Sequence, residues 1–309
     1  MSADAVGTTA GDVDDVEGDH EATEPATVDV PAYYAREIAE RELIARECPV
    51  DVFVSGINPR YGWPYRMQSA REARPSVRDA CETLIIDSVF QDPHYPIEEI
   101  LDAAHDFDAD YVVSKDYWAL DGQSYPLNEM QFFAERYKRH PCEAEILVPV
   151  GADPSKYTLE RLAKDIKRDS PCNIGGVAVG ALSRERGELQ ADVLRRVREI
   201  VGPDVHVHAL GMGTDPSVIG AIRESIVDDP QRPLVDSLDT STPENAPKNN
   251  KLPDKRWSQK RVLLPEGDKS STVRAQFAAA QALMLAYELT TWCDDDEISD
   301  GRSDLSRWG

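Results

Sequence analysis

Residues 145–180 read EILVPVGADPSKYTLERLAKDIKRDSPCNIGGVAVG and contain one complete repeating unit of the fold. A β-rich run over Glu145–Val150 precedes an amphipathic segment over residues 157–168, and a second β-rich run follows over Gly175–Val179. Between them, Asp153 followed by Pro154 is typical of a helix start. A strand, a helix and a strand in this order predict two parallel strands joined by a crossover helix.

The same alternation extends over most of the chain. It predicts a parallel α/β sheet, either doubly wound or closed, and eight units over about 250 residues favour a closed (β/α)8 TIM barrel. Asp215 with Pro216 is a second helix-start signal. The other predicted strands are Val52–Ser55, Leu84–Val89, Tyr111–Ser114, Val205–Leu210, Leu234–Leu238 and a weaker eighth at Arg261–Leu264, and the other helical patterns are 68–81, 97–107, 127–139, 184–201, 215–227 and 270–290.

The composition indicates a soluble globular protein. The 309 residues are 41% hydrophobic, which is enough for a core, and no run of about 18 apolar residues predicts a membrane span. The N-terminus has neither a basic start nor an apolar stretch, so we expect a cytoplasmic protein without a membrane partner. Five isolated cysteines without a CxxC pair argue against a disulfide framework and against a compact zinc site.

The charge is strongly negative and concentrated at the ends. There are 57 acidic against 34 basic residues, for a net charge of −23, and residues 1–30 hold nine acids without a lysine or arginine. We therefore predict a disordered acidic tail over 1–30, a barrel domain over 31–290 and a flexible acidic tail over 291–309. Acidity spread over a whole protein suits a cytoplasm of high salt, where repulsion is screened, so it does not exclude a nucleic-acid partner.

Acidic residues follow several predicted strands. Ligands of parallel α/β proteins bind at the carboxyl ends of the strands, where this sequence has Asp87, Asp116 and Asp236. Paired carboxylates can divide labour between a nucleophile and a proton carrier, although each acid could instead start a helix or face solvent. Glycines at 175, 176, 180, 211 and 213 would let a flat ligand approach the backbone, and their spacing matches no phosphate-binding loop.

Four segments, in order, resemble a known family. Residues 86–91 (IDSVFQ), 175–180 (GGVAVG), 208–216 (HALGMGTDP) and 235–237 (VDS) are similar to motifs of the queuine/archaeosine tRNA-guanine transglycosylases. These are (β/α)8 enzymes that exchange guanine in a nucleic acid for a 7-deazaguanine through a covalent aspartyl-glycosyl intermediate. The resemblance spans about half of the chain.

The resemblance implies roles for individual residues. Asp236 would be the nucleophile, Asp87 would carry protons, and Asp116 would accept hydrogen bonds from the guanine. Asp239, three residues beyond Asp236, is a rival nucleophile. The residues expected to line the base pocket are Gly175, Gly176, Val179, Gly180, Gly211, Met212 and Gly213.

The chain also departs from the family pattern. The family's CxCxxC zinc motif is absent, so we expect no zinc and no other cofactor. Val148-Pro149-Val150-Gly151 replaces a V-Q-G-G strand, and Ser88-Val89 replaces a serine-glycine pair. No C-terminal RNA-binding domain is visible, and a shorter branch of the superfamily acts on DNA. The resemblance therefore implies tRNA or DNA as the substrate and a free 7-deazaguanine base as the second partner, and a homodimer is left open.

Two basic regions are candidate nucleic-acid contacts, because phosphate binding needs local positive charge. One lies after the first predicted strand, where arginines alternate with aromatic residues, and the other spans residues 248–261 and contains Trp257. The alternatives are that residues 248–261 form a solvated loop and that the arginine–aromatic region packs under the barrel rim, but binding is favoured because both regions follow strands that end at the predicted site. The residues assigned to nucleic acid are Arg60, Arg66, Lys248, Lys251, Lys255, Arg256, Lys260 and Arg261.

Two alternatives to base exchange in a nucleic acid remain. One is a non-catalytic barrel that binds nucleic acid or a partner protein, and the other is an enzyme that exchanges bases on small nucleosides. His206 and His208 alternate along one predicted strand, so they face the same way. A metal site there is conceivable, but we interpret them as residues of the barrel core or rim.

Overall fold

The computed structural model describes most of the central part of the chain, and the predicted tails 1–30 and 291–309 lie outside it. The division of the chain into a barrel and two tails therefore stays a prediction. The described residues are 45–56, 63–92, 94–115, 126–167, 173–180, 182, 187–212, 215–248, 251–253, 259–261, 282, 285, 286 and 289.

Eight parallel strands form a closed barrel, which confirms the predicted (β/α)8 TIM fold. Each strand pairs with the next along the chain, and the last closes the barrel by pairing with the first, with Phe53 opposite Asp239. The strands are β1 (Asp51–Ser55), β2 (Tyr65–Ser69), β3 (Thr83–Asp87), β4 (Tyr111–Val113), β5 (Glu145–Val150), β6 (Ile174–Val179), β7 (His206–Ala209) and β8 (Ser237–Thr240).

Helices alternate with the strands. Ser155 begins α4 by accepting a hydrogen bond from the Thr158 backbone N–H, so the predicted start at Asp153 is two residues early. Asp215 begins α6 as predicted, with Pro216 in its first turn. The helices are α1 (Pro75–Arg78), α2 (Ile97–Asp106), α3 (Pro126–Tyr137), α4 (Lys156–Ile166), α5 (Gly187–Val201), α6 (Pro216–Asp228) and α7 (Thr242–Lys248). No helix in the described ranges is long and apolar enough to cross a membrane.

The strands separate two layers of packing because successive side chains point to opposite faces. The outward-facing residues pack against the helices in one large core. The inward-facing residues fill the barrel and include Phe53, Met67, Ile85, Val113, Leu147 and Ala178.

Strand β2 is the element that the sequence pattern did not predict. Residues 68–81 were expected to be helical, but β2 includes residues 68 and 69, and only Pro75–Arg78 forms a helix. Arg66 and Gln68 lie on the outward face of β2 and are both buried, so this strand lacks the apolar pattern of its neighbours. Of the predicted eighth strand at Arg261–Leu264, only Arg261 is among the described residues. It belongs to Gln259–Arg261 (β10), which pairs antiparallel with Lys251–Pro253 (β9) outside the barrel, and the eighth barrel strand is Ser237–Thr240 instead.

Candidate active site

Asp87 lies at the carboxyl end of β3, as expected. It is opposite Ser69 in the register of β2, and it shares the inward face of its strand with Ile85. Its carboxylate accepts a hydrogen bond from the Ser88 backbone N–H at 2.8 Å, and the residue is partly exposed. Asp87 therefore presents an accessible carboxylate at the mouth of the barrel.

Val89 has a backbone conformation that suits glycine. Its φ of 56° lies in the left-handed region, which is a genuine outlier for a β-branched residue. The side chain is nevertheless buried, and the Val89 carbonyl accepts a hydrogen bond from the Asp92 N–H at 2.9 Å. The turn after Asp87 thus keeps a glycine-type conformation at the position where the similar motif has glycine, and strain of this kind is concentrated at functional sites.

Asp239 is the second carboxylate near this end of the barrel. It is the third of the four residues of β8, and its side chain accepts hydrogen bonds from the Gly211 N–H at 2.5 Å and from the Ser55 hydroxyl. His208 Nε2 lies 3.3 Å from its Oδ1. These partners come from β1, from β7 and from the turn after β7, so Asp239 is anchored on the inward face and is 4% exposed.

Asp236 occupies the opposite end of the barrel, which corrects the predicted placement. Strand β8 begins at Ser237, so Asp236 precedes the strand instead of following an apolar run. Its carboxylate is paired with Arg198 of α5 at 2.6 Å and accepts a hydrogen bond from the Val207 N–H at 2.7 Å. Asp236 therefore lies between the sheet and a helix, at the amino end.

The predicted meeting of Asp87 and Asp236 is thus not what the structure shows. The carboxyl end of the barrel instead holds Asp87 and Asp239, on strands that are separated by β1 and β2. From the sequence, Asp239 is only a rival to Asp236. The signal in its favour is the order Ser237, Leu238, Asp239, in which two polar residues flank an apolar one and therefore share the inward face of β8.

The glycines of β6 lie mostly away from this mouth. A Cβ at Gly176 would stand 2.3 Å from the His206 carbonyl oxygen, and one at Gly175 would stand 2.4 Å from the Glu145 carboxylate. These two glycines are at the amino half of β6 and accommodate neighbouring strands, which differs from the predicted base-stacking wall. Val179 ends the strand and packs in the outer core, and Gly180 follows at the carboxyl end.

The turn after β7 does reach the mouth. Gly211 has a φ of 63°, which an L-residue adopts only at a cost, and its N–H points at the Asp239 carboxylate. The Met212 N–H donates to the Asp239 carbonyl oxygen at 3.0 Å, and the Met212 side chain is buried. Gly211 and Met212 are therefore brought to Asp239, while Gly213 lies outside the described residues.

Of the residues predicted to contact nucleic acid, Arg66 is the one whose side chain the structure describes. Arg66 is 1% exposed and forms a buried ion pair with Glu244 at 2.8 Å, so it is part of the protein interior and not of a phosphate-binding surface. Lys248 ends α7, Lys251 begins β9, and Lys260 and Arg261 lie on β10, but their side chains are not described. Three basic candidates, with the predicted base-reading Asp116, lie outside the described residues: Arg60, Lys255 and Arg256.

A second polar cluster lies at the amino end of the barrel interior. Burial raises the pKa of the Asp51 carboxyl, although a hydrogen bond from Tyr65 opposes this effect. Burial also raises the pKa values of Tyr65 and Tyr111. Burial lowers the pKa of His206 to about 4, although the nearby Asp236 carboxylate opposes this shift. His206 is therefore neutral at neutral pH.

The described part of the chain contains no group of three or more His, Cys, Asp and Glu side chains that could hold a metal ion. His206 and His208 do face the same way, as predicted, and both contact Ser237 Oγ at 2.7 Å. Cys48, Cys81 and Cys142 are free thiols, and burial raises the pKa of Cys48 to about 12, which leaves it unreactive.

No model of a protein family matches the chain, and no curated protein matches it significantly.

Proposed function

We propose that the protein is a base-exchange glycosyltransferase that replaces guanine in a nucleic acid with a 7-deazaguanine. The nucleophile in this proposal is Asp239, and Asp87 is the proton carrier. The motif resemblance supports the reaction, and the position of the two carboxylates supports Asp239 as nucleophile in place of Asp236, which the resemblance implies.

The observation that carries the proposal is the pair of inward carboxylates near the carboxyl end of the barrel, where TIM-barrel enzymes hold their catalytic residues. Asp239 is nearly buried and accepts hydrogen bonds from Ser55 and Gly211, whereas Asp87 is partly exposed and accepts a hydrogen bond from the Ser88 backbone N–H. A nucleophile benefits from a fixed position, and a proton carrier needs access to the ligand.

The chemistry follows from these two environments. When the C1′–N9 bond of a guanine nucleotide breaks, positive charge develops at C1′, and the Asp239 carboxylate stabilises it and then forms a C1′–O bond. The departing N9 takes a proton from Asp87, which becomes ionised. Asp87 then removes a proton from the ring nitrogen of the incoming 7-deazaguanine, and this nitrogen displaces Asp239 from C1′. Two displacements give net retention, as in retaining glycosidases.

The nucleic-acid part of the proposal is supported by the segment that leaves β8. Helix α7 and the β9–β10 hairpin follow β8 directly, and α7 packs against β1 and β9. This segment carries Lys248, Lys251, Lys260 and Arg261 within an acidic protein. A guanine paired in a stem or duplex would have to be flipped out of its stack to reach Asp239.

The test is incorporation of radiolabelled guanine into tRNA and into duplex DNA, assayed in parallel at molar potassium chloride. Asp239→Asn and Asp236→Asn are the matched variants, since they lie three residues apart and differ in the face they occupy. We expect Asp239→Asn to reduce incorporation to below about one thousandth of the wild-type rate. We expect Asp236→Asn to retain most of the activity per folded molecule.

Label in only one polymer identifies the nucleic acid. Label in neither, with binding of either polymer retained, would favour the non-catalytic barrel, and label in free nucleosides alone would favour the small-molecule enzyme. An active Asp239→Asn protein would refute the assignment of the nucleophile.

A further inference from the structure

A chain of hydrogen bonds runs along the barrel interior from its amino end to Asp239. His206 Nε2 lies 2.7 Å from Ser237 Oγ, and the same oxygen lies 2.7 Å from His208 Nδ1. His208 Nε2 then lies 3.3 Å from Asp239 Oδ1. The four residues alternate between the inward faces of β7 and β8, so the chain follows from the register that places His208 opposite Ser237.

The directions of these hydrogen bonds are linked. An ionised carboxylate only accepts, so His208 Nε2 must carry a proton to bond Asp239. In a neutral imidazole Nδ1 is then an acceptor, which requires the Ser237 hydroxyl to donate to it. The single proton of Ser237 is thereby used, and its oxygen accepts from His206 Nε2–H. Two assumptions, an ionised Asp239 and a neutral His208, together determine every proton in the chain.

We infer that His208 is a positioning residue for Asp239, and that Ser237 and His206 hold its imidazole in the Nε2–H form. This inference rests on the proposed function for its catalytic consequence. The carboxylate oxygen Oδ1 receives the Gly211 N–H and His208 Nε2–H together, so rotation of the Asp239 side chain would break both bonds. A fixed carboxylate keeps its attacking oxygen aligned with C1′.

Aromatic rings flank both histidines, and the surroundings of His206 favour its neutral form. His208 is fully buried and lies edge-on to the Phe53 ring, with 5.8 Å between centroids. The His206 and Tyr111 ring centroids are 5.5 Å apart. Burial lowers the pKa of His206 by more than the nearby Asp236 carboxylate raises it. A neutral His206 donates to Ser237 Oγ only as the Nε2–H tautomer, which is the form required by the hydrogen-bonded chain.

The test that does not depend on activity is nuclear magnetic resonance of protein labelled with ¹⁵N-histidine. The full chain has six histidines, and His206→Gln and His208→Gln proteins assign the two signals by difference. We expect both imidazoles to be Nε2–H tautomers at neutral pH. Ser237→Ala removes the donor to Nδ1 and should increase the share of the Nδ1–H form of His208, although Asp239 still favours Nε2–H. A His208 that carries its proton on Nδ1 in the wild-type protein would overturn the inference.

The catalytic consequence is tested with two replacements of His208. The amide nitrogen of glutamine can occupy the place of Nε2, whereas that of asparagine corresponds to Nδ1 and does not reach Asp239. We expect His208→Gln to keep kcat for base exchange within about tenfold of wild type and His208→Asn to lower it about a hundredfold or more, with KM for the nucleic acid unchanged in both.

Equal loss of kcat in the two folded variants, or a change confined to KM, would refute the positioning role. If the wild-type protein exchanges no base, the proposed function fails, and the tautomers alone decide whether the hydrogen-bonded chain exists.

Discussion

Asp236 and Asp239 are three residues apart and serve opposite faces of the barrel wall. Asp239 points into the barrel and contacts Ser55 and His208, whereas Asp236 pairs with Arg198 of α5 on the helical side. The difference follows from the two-residue period of a strand, in which positions an odd number apart face opposite ways. One acid is therefore held on the inward face of the barrel, and the other joins a helix to the sheet.

Removal of the Asp236 charge should destabilise the protein without abolishing the proposed base exchange. Arg198 also donates to the carbonyl oxygens of Leu234, Gly202 and Val205, so Asp236 orients a group that holds several segments. We expect Asp236→Asn to lower the free energy of unfolding by about 1–3 kcal/mol, measured by urea denaturation. Asp192→Asn, which alters an exposed i,i+3 pair with Arg195, should change it by less than about 0.5 kcal/mol. Equal effects would contradict a structural role for Asp236.

Alanine substitutions at two glycines should have opposite effects. A Cβ at Gly176 would meet the His206 backbone at 2.3 Å, so Gly176→Ala must separate β6 from β7 and should unfold the protein or lower its melting temperature strongly. Gly220 lies within α6, and a Cβ added there would have no neighbouring atom within 4 Å, so Gly220→Ala should stabilise by about 0.5–1 kcal/mol. Thermal unfolding followed by circular dichroism measures both changes. A neutral Gly176→Ala would show that the two strands are not this close.

The left-handed conformation of Val89 predicts a small cost for glycine at this position. Val89→Gly loses a buried side chain but relieves backbone strain of about 1–2 kcal/mol. Val112, buried in β4, is the matched control in ordinary strand conformation. We expect Val89→Gly to cost at least about 1 kcal/mol less than Val112→Gly in denaturant unfolding. Similar costs would mean that no strain is stored after Asp87.

The buried Arg66–Glu244 ion pair should show strong energetic coupling between its two side chains. Either Arg66→Ala or Glu244→Ala leaves a buried charge without its partner and should cost about 3–5 kcal/mol. The double variant Arg66→Met/Glu244→Met removes both charges and should recover most of this loss. The two single variants and the double variant form a cycle that measures the coupling. Additive losses of unfolding free energy in the two single variants would contradict the ion pair. If folded Arg66→Met/Glu244→Met selectively lost nucleic-acid binding, Arg66 would instead be a nucleic-acid contact, as the sequence predicts.

The neutral His206 predicts a dependence of stability on pH. Its pKa falls from 6.5 to about 4 on folding, so the unfolded chain binds a proton that the folded protein does not bind between these values. Stability from this group is complete above pH 6.5 and is lost as the pH falls toward 4, by up to about 3 kcal/mol. His206→Gln should flatten this part of the unfolding free-energy profile, whereas replacement of the exposed His94 by glutamine should not. An unchanged slope in His206→Gln would contradict the buried, neutral imidazole.

The sequence by itself determined the fold class, because alternating β-rich and amphipathic segments of the right length permit few arrangements other than a parallel barrel. It also placed Asp87 at the mouth, since an acid directly after an apolar strand falls on the carboxyl edge. The helix start at Asp215 was equally local, as one side chain and its nearest backbone N–H groups decide it.

Only the tertiary structure decided which face each remaining acid serves. Leu234 and Val235 are as apolar as a strand, yet β8 starts after them, and this shift puts Asp236 at the amino end of β8 and Asp239 within the strand. Strand β2 could not be predicted from the sequence because its buried Arg66 is paired with Glu244, 178 residues away in the chain. Residues that are distant in sequence leave no periodic pattern when they pair. The buried Arg66–Glu244 pair and the register of the strands therefore could not be predicted and are known only from the closed barrel.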